Sequence, residues 1–173
     1  MRIEGGGLLL RPFTKRDTPA IVAACQDPEI ARWTRVPSPY TERHASEFVS
    51  ARDETSFAIT DLPSGELLGA IGLREHGEGV AEVGYWVKRE ARGRGVATRA
   101  LELVAAWAFE ALSAARVQLV AEPENEPSLR VAEKAGFTRE GVLRSYMEFN
   151  GRRRDGVMYS LLRQDAQTLR RSG

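Results

Sequence analysis

Between residues 81 and 121 the chain sets a strand, a glycine-arginine bend, a long helix and a second strand directly one after another, and few folds accept that order. Ala81-Glu82-Val83-Gly84-Tyr85-Trp86-Val87-Lys88 alternates β-branched and aromatic residues and reads as a strand. After the bend Arg92-Gly93-Arg94-Gly95-Val96-Ala97-Thr98, the residues Ala97, Leu101, Val104, Ala108 and Leu112 recur at helical spacing as one buried face. Arg116 to Ala121 is the next strand. A strand-helix-strand unit of this length is normally a right-handed crossover between parallel strands. The first amides of the helix have no internal acceptor and carry the positive end of its dipole, so an anion placed there satisfies both deficits. Gly93 and Gly95 keep side chains away, and Arg92 and Arg94 add forked donors suited to phosphate oxygens. The segment points to a phosphate-bearing ligand.

Two familiar phosphate loops fit less well. A P-loop ends in Gly-Lys-Ser/Thr, and no lysine follows Gly95. A dinucleotide fold is the stronger rival, because Gly93-x-Gly95 follows a strand and Glu122 ends the next one, where a ribose-binding acid would sit. Its third glycine is replaced by Thr98, and the sequence before residue 80 supplies none of the further parallel crossovers that fold requires.

A chain of 173 residues with 42% hydrophobic residues is read as one domain over 1–173, with a single core. All but Lys15, Lys88 and Lys134 of the 25 basic residues are arginine, yet the net charge is only +1. That gives no field for nucleic acid or an anionic membrane, and neither is expected as a direct partner. Cys25 stands alone, which excludes an internal disulfide and suits a reducing cytoplasm. There is no apolar run long enough to span a membrane, and Leu8-Leu9-Leu10 is too short for a signal-peptide core. The expectation is a soluble, cytoplasmic protein.

Along the rest of the chain, Leu8 to Pro12 reads as a strand and Thr14 to Ala24 as a helix capped near Asp17. Asp27 to Trp33 is a short helix, and Thr41 caps a third running to about Arg52. Phe57 to Thr60 and Leu67 to Leu73 are strands joined through Leu62-Pro63-Ser64-Gly65, and Gly77 and Gly79 mark a further turn. Ser128 to Ala135 is a helix ended by Gly136, with Phe137 folding back on its last turn. Gly141 to Phe149 and Arg154 to Leu162 form a hairpin around Asn150-Gly151, and the tail after Gln164 is expected to fray.

With these elements in place, Glu82-Val83-Gly84-Tyr85-Trp86-Val87, Arg92-Gly93-Arg94-Gly95-Val96-Ala97, Asn125-x-x-Ser128 and Glu133-Lys134-Ala135-Gly136-Phe137 resemble the successive signatures of a GNAT N-acetyltransferase. More narrowly they resemble the RimJ/RimL-type branch, which acetylates N-termini of ribosomal proteins. The likeness extends to Leu9-Arg11-Pro12, to Trp33 and to the stretch from Asn150-Gly151 to Asp155. It implies an α+β fold: a central mixed, mostly antiparallel twisted sheet, flanking helices, and the one parallel crossover at the cofactor site.

The resemblance also implies a cosubstrate, acetyl-CoA, with its pyrophosphate on the amides of Arg92 to Thr98 and its pantetheine arm along the backbone of Trp86, Val87 and Lys88. Asn125 would bond the arm, or serve only as a helix N-cap. Arg94 and Arg130 would reach the ribose phosphate or lie in solvent. No metal is implied. An ammonium must lose a proton before it attacks a thioester, and an α-amine with a pKa near ~8 needs less help than a lysine near ~10.4. Glu82 is the candidate base, acting through water, or else a carboxylate on the polar face of its strand. Ala132 stands where many family members carry a tyrosine, whereas Ser128 matches the serine that assists thiolate departure in the RimJ/RimL branch, or is a capping residue. That branch also carries a carboxylate on the first strand of the last hairpin, where Met147 precedes Glu148. His44 and His76 read as surface residues, and Cys25 has no paired histidine, so direct transfer in a ternary complex is expected. Trp33, Tyr40, Trp86 and Tyr146 would line the acceptor groove, with Glu148 nearby. Arg152-Arg153-Arg154 reads as a solvated cluster, or as a surface for an acidic partner or ribosomal RNA.

The acceptor is expected to be a protein or peptide N-terminus. A small-molecule amine such as an amino acid, polyamine or antibiotic stays open, as does a CoA-binding sensor or interaction module without turnover. Oligomeric state does not follow from the residues, and a homodimer is one option.

Overall fold

The computed structural model describes residues 1–51, 55–149 and 151–166. They belong to two compact units, Met1–Gly72 with Tyr85–Ala100, and Leu73–Gly84 with Leu101–Gly173. The strands are β1 (Ile3–Gly5), β2 (Leu8–Arg11), β3 (Ser56–Asp61), β4 (Leu67–Glu75), β5 (Val80–Val87), β6 (Arg116–Ala121), β7 (Thr138–Phe149) and β8 (Arg152–Leu162). Their hydrogen-bonded order is β1-β2-β3-β4-β5-β6-β8-β7. The pairs β1/β2, β2/β3, β3/β4, β6/β8 and β7/β8 are antiparallel, and β5/β6 is parallel. This is the mixed, mostly antiparallel α+β architecture that the sequence resemblance implied.

In the first unit, α1 (Thr18–Ala24), α2 (Pro28–Trp33) and α3 (Glu42–Ser50) lie between β2 and β3 in the chain. Leu8, Leu10, Phe57, Ile59, Leu68 and Ile71 are buried on the strands, and each is worth about 1.5–3 kcal/mol of removed apolar surface. A second cluster joins Ile21, Cys25, Ile30, Tyr40, Ala45 and Trp86. The strand β1 was not read from the sequence: three residues are too few to show alternation, and its hairpin to β2 is made by Gly6 and Gly7, both at positive φ. Asp17 stands at the N-cap of α1 but makes no side-chain bond to that helix. Its carboxylate instead accepts the Thr14 amide at 2.7 Å and both nitrogens of the Arg11 fork at 2.7 and 2.9 Å. Burial alone would raise the Asp17 carboxyl, but the hydrogen bonds from Arg11 and Thr14 hold it below its ordinary range. Thr41 does cap α3, and His44 closes the box by accepting the Thr41 amide at 3.2 Å, so His44 is a capping residue with a partner. That helix ends at Ser50, and the expected terminus at Arg52 lies outside the described residues.

In the second unit, β6 pairs with β8 from Arg116↔Leu162 to Ala121↔Val157, and β8 pairs with β7. The buried side chains include Leu101, Val104, Val117, Leu119, Phe137, Tyr159 and Leu161. α4 (Val96–Ala111) begins in the first unit and continues into the second. Its buried positions are Val96, Ala100, Leu101, Val104, Ala105, Ala108 and Phe109, so the stripe is wider than expected, and Leu112 falls beyond the helix end. α5 (Glu126–Lys134) closes with Gly136 at φ 80° and the Phe137 amide on the Ala132 carbonyl at 3.0 Å, which seats Phe137 in the core as the sequence indicated. In the last hairpin Gly151 has φ 71°, and Asn150 lies outside the described residues, as does the tail from residue 167.

Candidate functional site

In the first unit β5 ends at Val87, a single 3-10 turn covers Arg89–Ala91, and Arg92 to Gly95 lead into α4. Gly93 has φ 73° and Gly95 φ 70°, a region that disfavours any Cβ. A Cβ at Gly93 would meet nothing within 4 Å, so the backbone is open there. The first helical bond runs from the Arg99 amide to the Gly95 carbonyl at 3.1 Å, so the amides of Val96, Ala97 and Thr98 start a 16-residue helix without intrahelical acceptors. Donors without an internal acceptor at the positive end of a long helix favour a bound anion.

The two arginines of the bend differ in use. Arg92 is a strut rather than the forked phosphate donor expected: its Nη2 lies 2.6 Å from Asp27 Oδ2, its Nε donates to the Val87 carbonyl at 3.1 Å, and its amide donates to the Arg89 carbonyl. Arg89 Nη2 donates to Asp27 Oδ1 at 3.1 Å. Asp27 is also the N-cap of α2, accepting the Glu29 amide at 3.2 Å. Burial would raise this carboxyl, while the bonds from Arg89 and Glu29 and the charge of Arg92 hold it low. Arg94 remains exposed, and its carbonyl accepts Arg99 Nη1 at 3.0 Å. The sequence reading passed over Arg99, whose side chain lies so close to Gly6 that a Cβ there would fall 2.7 Å from Arg99 Cδ. The only cue was a glycine pair at residues 6 and 7.

At the end of β5 the Lys88 amide donates to the Leu68 carbonyl at 2.9 Å and the Lys88 ammonium pairs with Glu66, so neither group is spare. A Cβ at Gly69 would lie 2.2 Å from the Trp86 carbonyl oxygen, so β4 and β5 approach at a spot that only glycine permits. The Trp86 indole is core, 8% exposed, which leaves the Trp86–Val87 backbone rather than the ring for contact. The parallel register of β5 with β6 runs from Val80↔Arg116 to Glu82↔Gln118, while β5 continues to Val87.

The expected groove aromatics are not equivalent. Trp33 is half-buried, donates to Glu29 at 3.1 Å and carries the Arg32 guanidinium 4.4 Å over its ring. Tyr40 is a packing residue and not a groove wall, since it is buried beside Cys25 and its phenol is pushed up to about 12 by that burial. The Cys25 thiol is likewise pushed up to about 12 by burial, which removes it as a nucleophile.

In the second unit Glu82 lies on β5 with its Oε2 accepting Gln118 Nε2 at 3.1 Å. His76 is exposed, as expected of a surface residue, and its Nε2 is 3.5 Å from that same oxygen. Asn125 caps α5 through Oδ1, which accepts the Ser128 amide at 3.3 Å. Ser128 is half-buried, and Ala132, in the position where a tyrosine was absent, is fully buried. Arg130 is exposed and pairs with Glu126 at 3.0 Å. On β7, Tyr146 is exposed, and Glu148 faces outward and pairs with Arg153 at 3.4 Å. Arg154 departs from the solvated cluster expected: its Nη1 reaches the buried Glu122 at 2.7 Å. Among the described residues, no helix is long and apolar enough to cross a membrane.

Comparison with known proteins matches residues 7–138 to the acetyltransferase (GNAT) domain. The uncharacterized N-acetyltransferase p20 of Bacillus licheniformis is 29% identical over 91% of this chain and 94% of its own. YdaF of Bacillus subtilis (strain 168), named for a ribosomal N-acetyltransferase, is 39% identical over 60% of this chain and 58% of its own. The spermidine N(1)-acetyltransferase of Escherichia coli (strain K12) is 33% identical over 54% and 51%. Among solved structures, a GNAT-family acetyltransferase from Bacillus anthracis superposes with TM-score 0.88 at 25% identity, covering 95% of this chain and 99% of that one. Mycobacterium smegmatis RimJ in complex with CoA-disulfide gives 0.78 at 25% identity, covering 100% and 93%. With a family match over most of its length and the bend in place, the chain belongs to the GNAT family of N-acetyltransferases, enzymes that use acetyl-CoA.

Proposed function

We propose that this protein is a cytoplasmic RimJ/RimL-type enzyme that transfers the acetyl group of acetyl-CoA to the α-amine of a protein or peptide N-terminus, by direct attack in a ternary complex. The observation that carries the reading is the bend: two glycines at left-handed φ, open space over Gly93, and the amides of Val96, Ala97 and Thr98, which precede the first internal bond of α4. Those residues suit a pyrophosphate, and the Trp86–Val87 backbone suits the amide-bearing arm that follows it. Bound there, acetyl-CoA supplies an activated acyl carbon.

The chain's own residues then handle protons. Glu82, 24% exposed and held by Gln118, takes the proton of the acceptor ammonium through water. Ser128, at the start of α5, donates to the departing sulfur in place of the absent tyrosine. Asn125 offers its amide nitrogen to the arm, because its carbonyl is occupied by the Ser128 amide. The buried thiol of Cys25 favours one-step transfer over an acetyl-enzyme. The RimJ and YdaF likenesses support a polypeptide acceptor, and exposed Tyr146 and Glu148 on β7 are available to an N-terminus.

A second reading, a polyamine or other small amine as acceptor, is favoured by the spermidine acetyltransferase relative. Mass spectrometry of the purified protein with acetyl-CoA and a panel of peptides, polyamines, amino acids and aminoglycosides tests both. An acetylated peptide α-amine is the expected product. An acetylated small amine alone replaces the acceptor, and tight CoA binding with no product turns the protein into a sensor.

A further inference from the structure

We infer that His76 is a positioning and proton-relay residue for Glu82, an inference that rests on Glu82 as the proton acceptor proposed above. Six positions separate the two residues in the chain, and the link between β4 and β5 folds tightly enough to bring them together. Gly77, Glu78 and Gly79 are three consecutive residues at positive φ, 79°, 52° and 74°. The His76 amide donates to the Val80 carbonyl at 2.9 Å and the Val80 amide to the Gly77 carbonyl at 3.0 Å. A non-glycine residue at φ 52° between two glycines costs free energy, and the turn it completes fixes the imidazole over β5.

The result is a directed arrangement at one carboxylate oxygen. Glu82 Oε2 faces both His76 Nε2 at 3.5 Å and Gln118 Nε2 at 3.1 Å. Gln118 is fixed in turn by Arg116 Nε at 2.9 Å, and Arg116 by Glu140. Gln118 is thus the β6 group bonded to the pair, with Arg116 and Glu140 of β7 behind it, and Glu75 and Glu78 are exposed acids near His76 in the chain. The Glu82 side chain is 24% exposed and that of His76 38%, so the imidazole is the more open of the two to solvent.

Acetylation of an ammonium releases one net proton. The acceptor R–NH3⁺ gives a proton through water to the Glu82 carboxylate, the resulting amine forms the C–N bond as the C–S bond breaks, and the second nitrogen proton goes to the thiolate. Glu82 must then lose its proton before the next turnover. Neutral His76 accepts it, becomes imidazolium and hands it to bulk water, restoring both groups.

The test uses His76→Ala and His76→Gln in the full chain, with the amine that wild type acetylates, and an NMR titration of His76 in wild type and Glu82→Gln. Since His44 is the only other histidine, the His76→Gln spectrum assigns the signals. Both His76 variants are expected to lose roughly tenfold in kcat, to keep the KM for acetyl-CoA, and to alter the acid limb of the kcat profile. In Glu82→Gln the His76 imidazole resonances are expected to move away from their wild-type positions along the titration, because the carboxylate 3.5 Å from Nε2 is gone. Wild-type kcat and pH profile in His76→Ala overturn the inference, full rescue by glutamine overturns the relay, and unmoved His76 resonances overturn the pairing. If wild type acetylates no amine, the acceptor reading fails and the NMR comparison alone decides the pair.

Discussion

Asp27 Oδ2 lies 2.6 Å from Arg92 Nη2, and the other oxygen of the same carboxylate takes Arg89 at 3.1 Å, so an N-cap of α2 also anchors the turn that enters the glycine-arginine bend. Asp27→Ala removes the cap, worth about 1 kcal/mol, and two partly exposed ion pairs that add less than about 1 kcal/mol together. Urea unfolding should report a loss of about 1–2 kcal/mol. The KM for acetyl-CoA should rise roughly tenfold with kcat nearly unchanged, the signature of lost ground-state binding. Asp27→Asn keeps a capping oxygen but no charge, so it should recover most of the stability and little of the affinity. An unchanged KM in both variants would separate Asp27 from the bend.

Gly69→Ala should destabilise the protein by about 1–3 kcal/mol, since its Cβ would sit 2.2 Å from the Trp86 carbonyl oxygen and 3.1 Å from Val87 Cα, backbone atoms that cannot turn aside. Gly84→Ala is the matched control on the neighbouring strand, because its Cβ would meet nothing within 4 Å. Calorimetry should show a lowered Tm for the first and a Tm within a degree or two for the second. Equal effects would mean that the close approach of β4 to β5 carries no stability.

What the sequence made legible was local or periodic. The strand, bend and helix from Ala81 to Ala111, the cap at Thr41 and the αL stop at Gly136 were readable because each follows from neighbours in the chain. The residues whose surroundings the sequence did not show are those with distant partners. Arg92, expected to face a phosphate, also pairs with Asp27, 65 positions earlier. Arg154 looked solvated because Glu122 lies 32 positions away. Tyr40 looked like a groove wall because an isolated aromatic gives no sign of whether it packs against Cys25 or faces water. His76 looked idle because three successive left-handed residues, which no periodicity encodes, turn it back toward Glu82.

The Glu140 carboxyl is held down to about 2, first by the Arg116 guanidinium and then by the Ser160 hydroxyl. A carboxyl whose folded value lies below its ordinary 4.5 contributes stability that is complete above that pH and disappears as pH falls toward 2. Its side chain is 39% exposed, so screening limits the effect to about 1 kcal/mol. Wild type should therefore lose about 1 kcal/mol more than Glu140→Gln when urea unfolding is moved from pH 6 to pH 3. The difference should shrink in high salt. Parallel pH profiles would remove Glu140 as a source of acid sensitivity.

Asn125 is where a cap and a ligand contact can be separated by one substitution. Its carbonyl accepts the Ser128 amide at 3.3 Å, so the side-chain NH2 is the part left to offer the acetyl-CoA arm, and it can only donate. Aspartate caps a helix as well as asparagine does and adds a favourable charge at the N-terminus of α5, but it has no donor. Asn125→Asp should keep its unfolding free energy within about 0.5 kcal/mol while the KM for acetyl-CoA rises roughly tenfold. Asn125→Ala should lose both, with stability down by about 1 kcal/mol. If aspartate binds acetyl-CoA as tightly as asparagine, the residue is a cap alone.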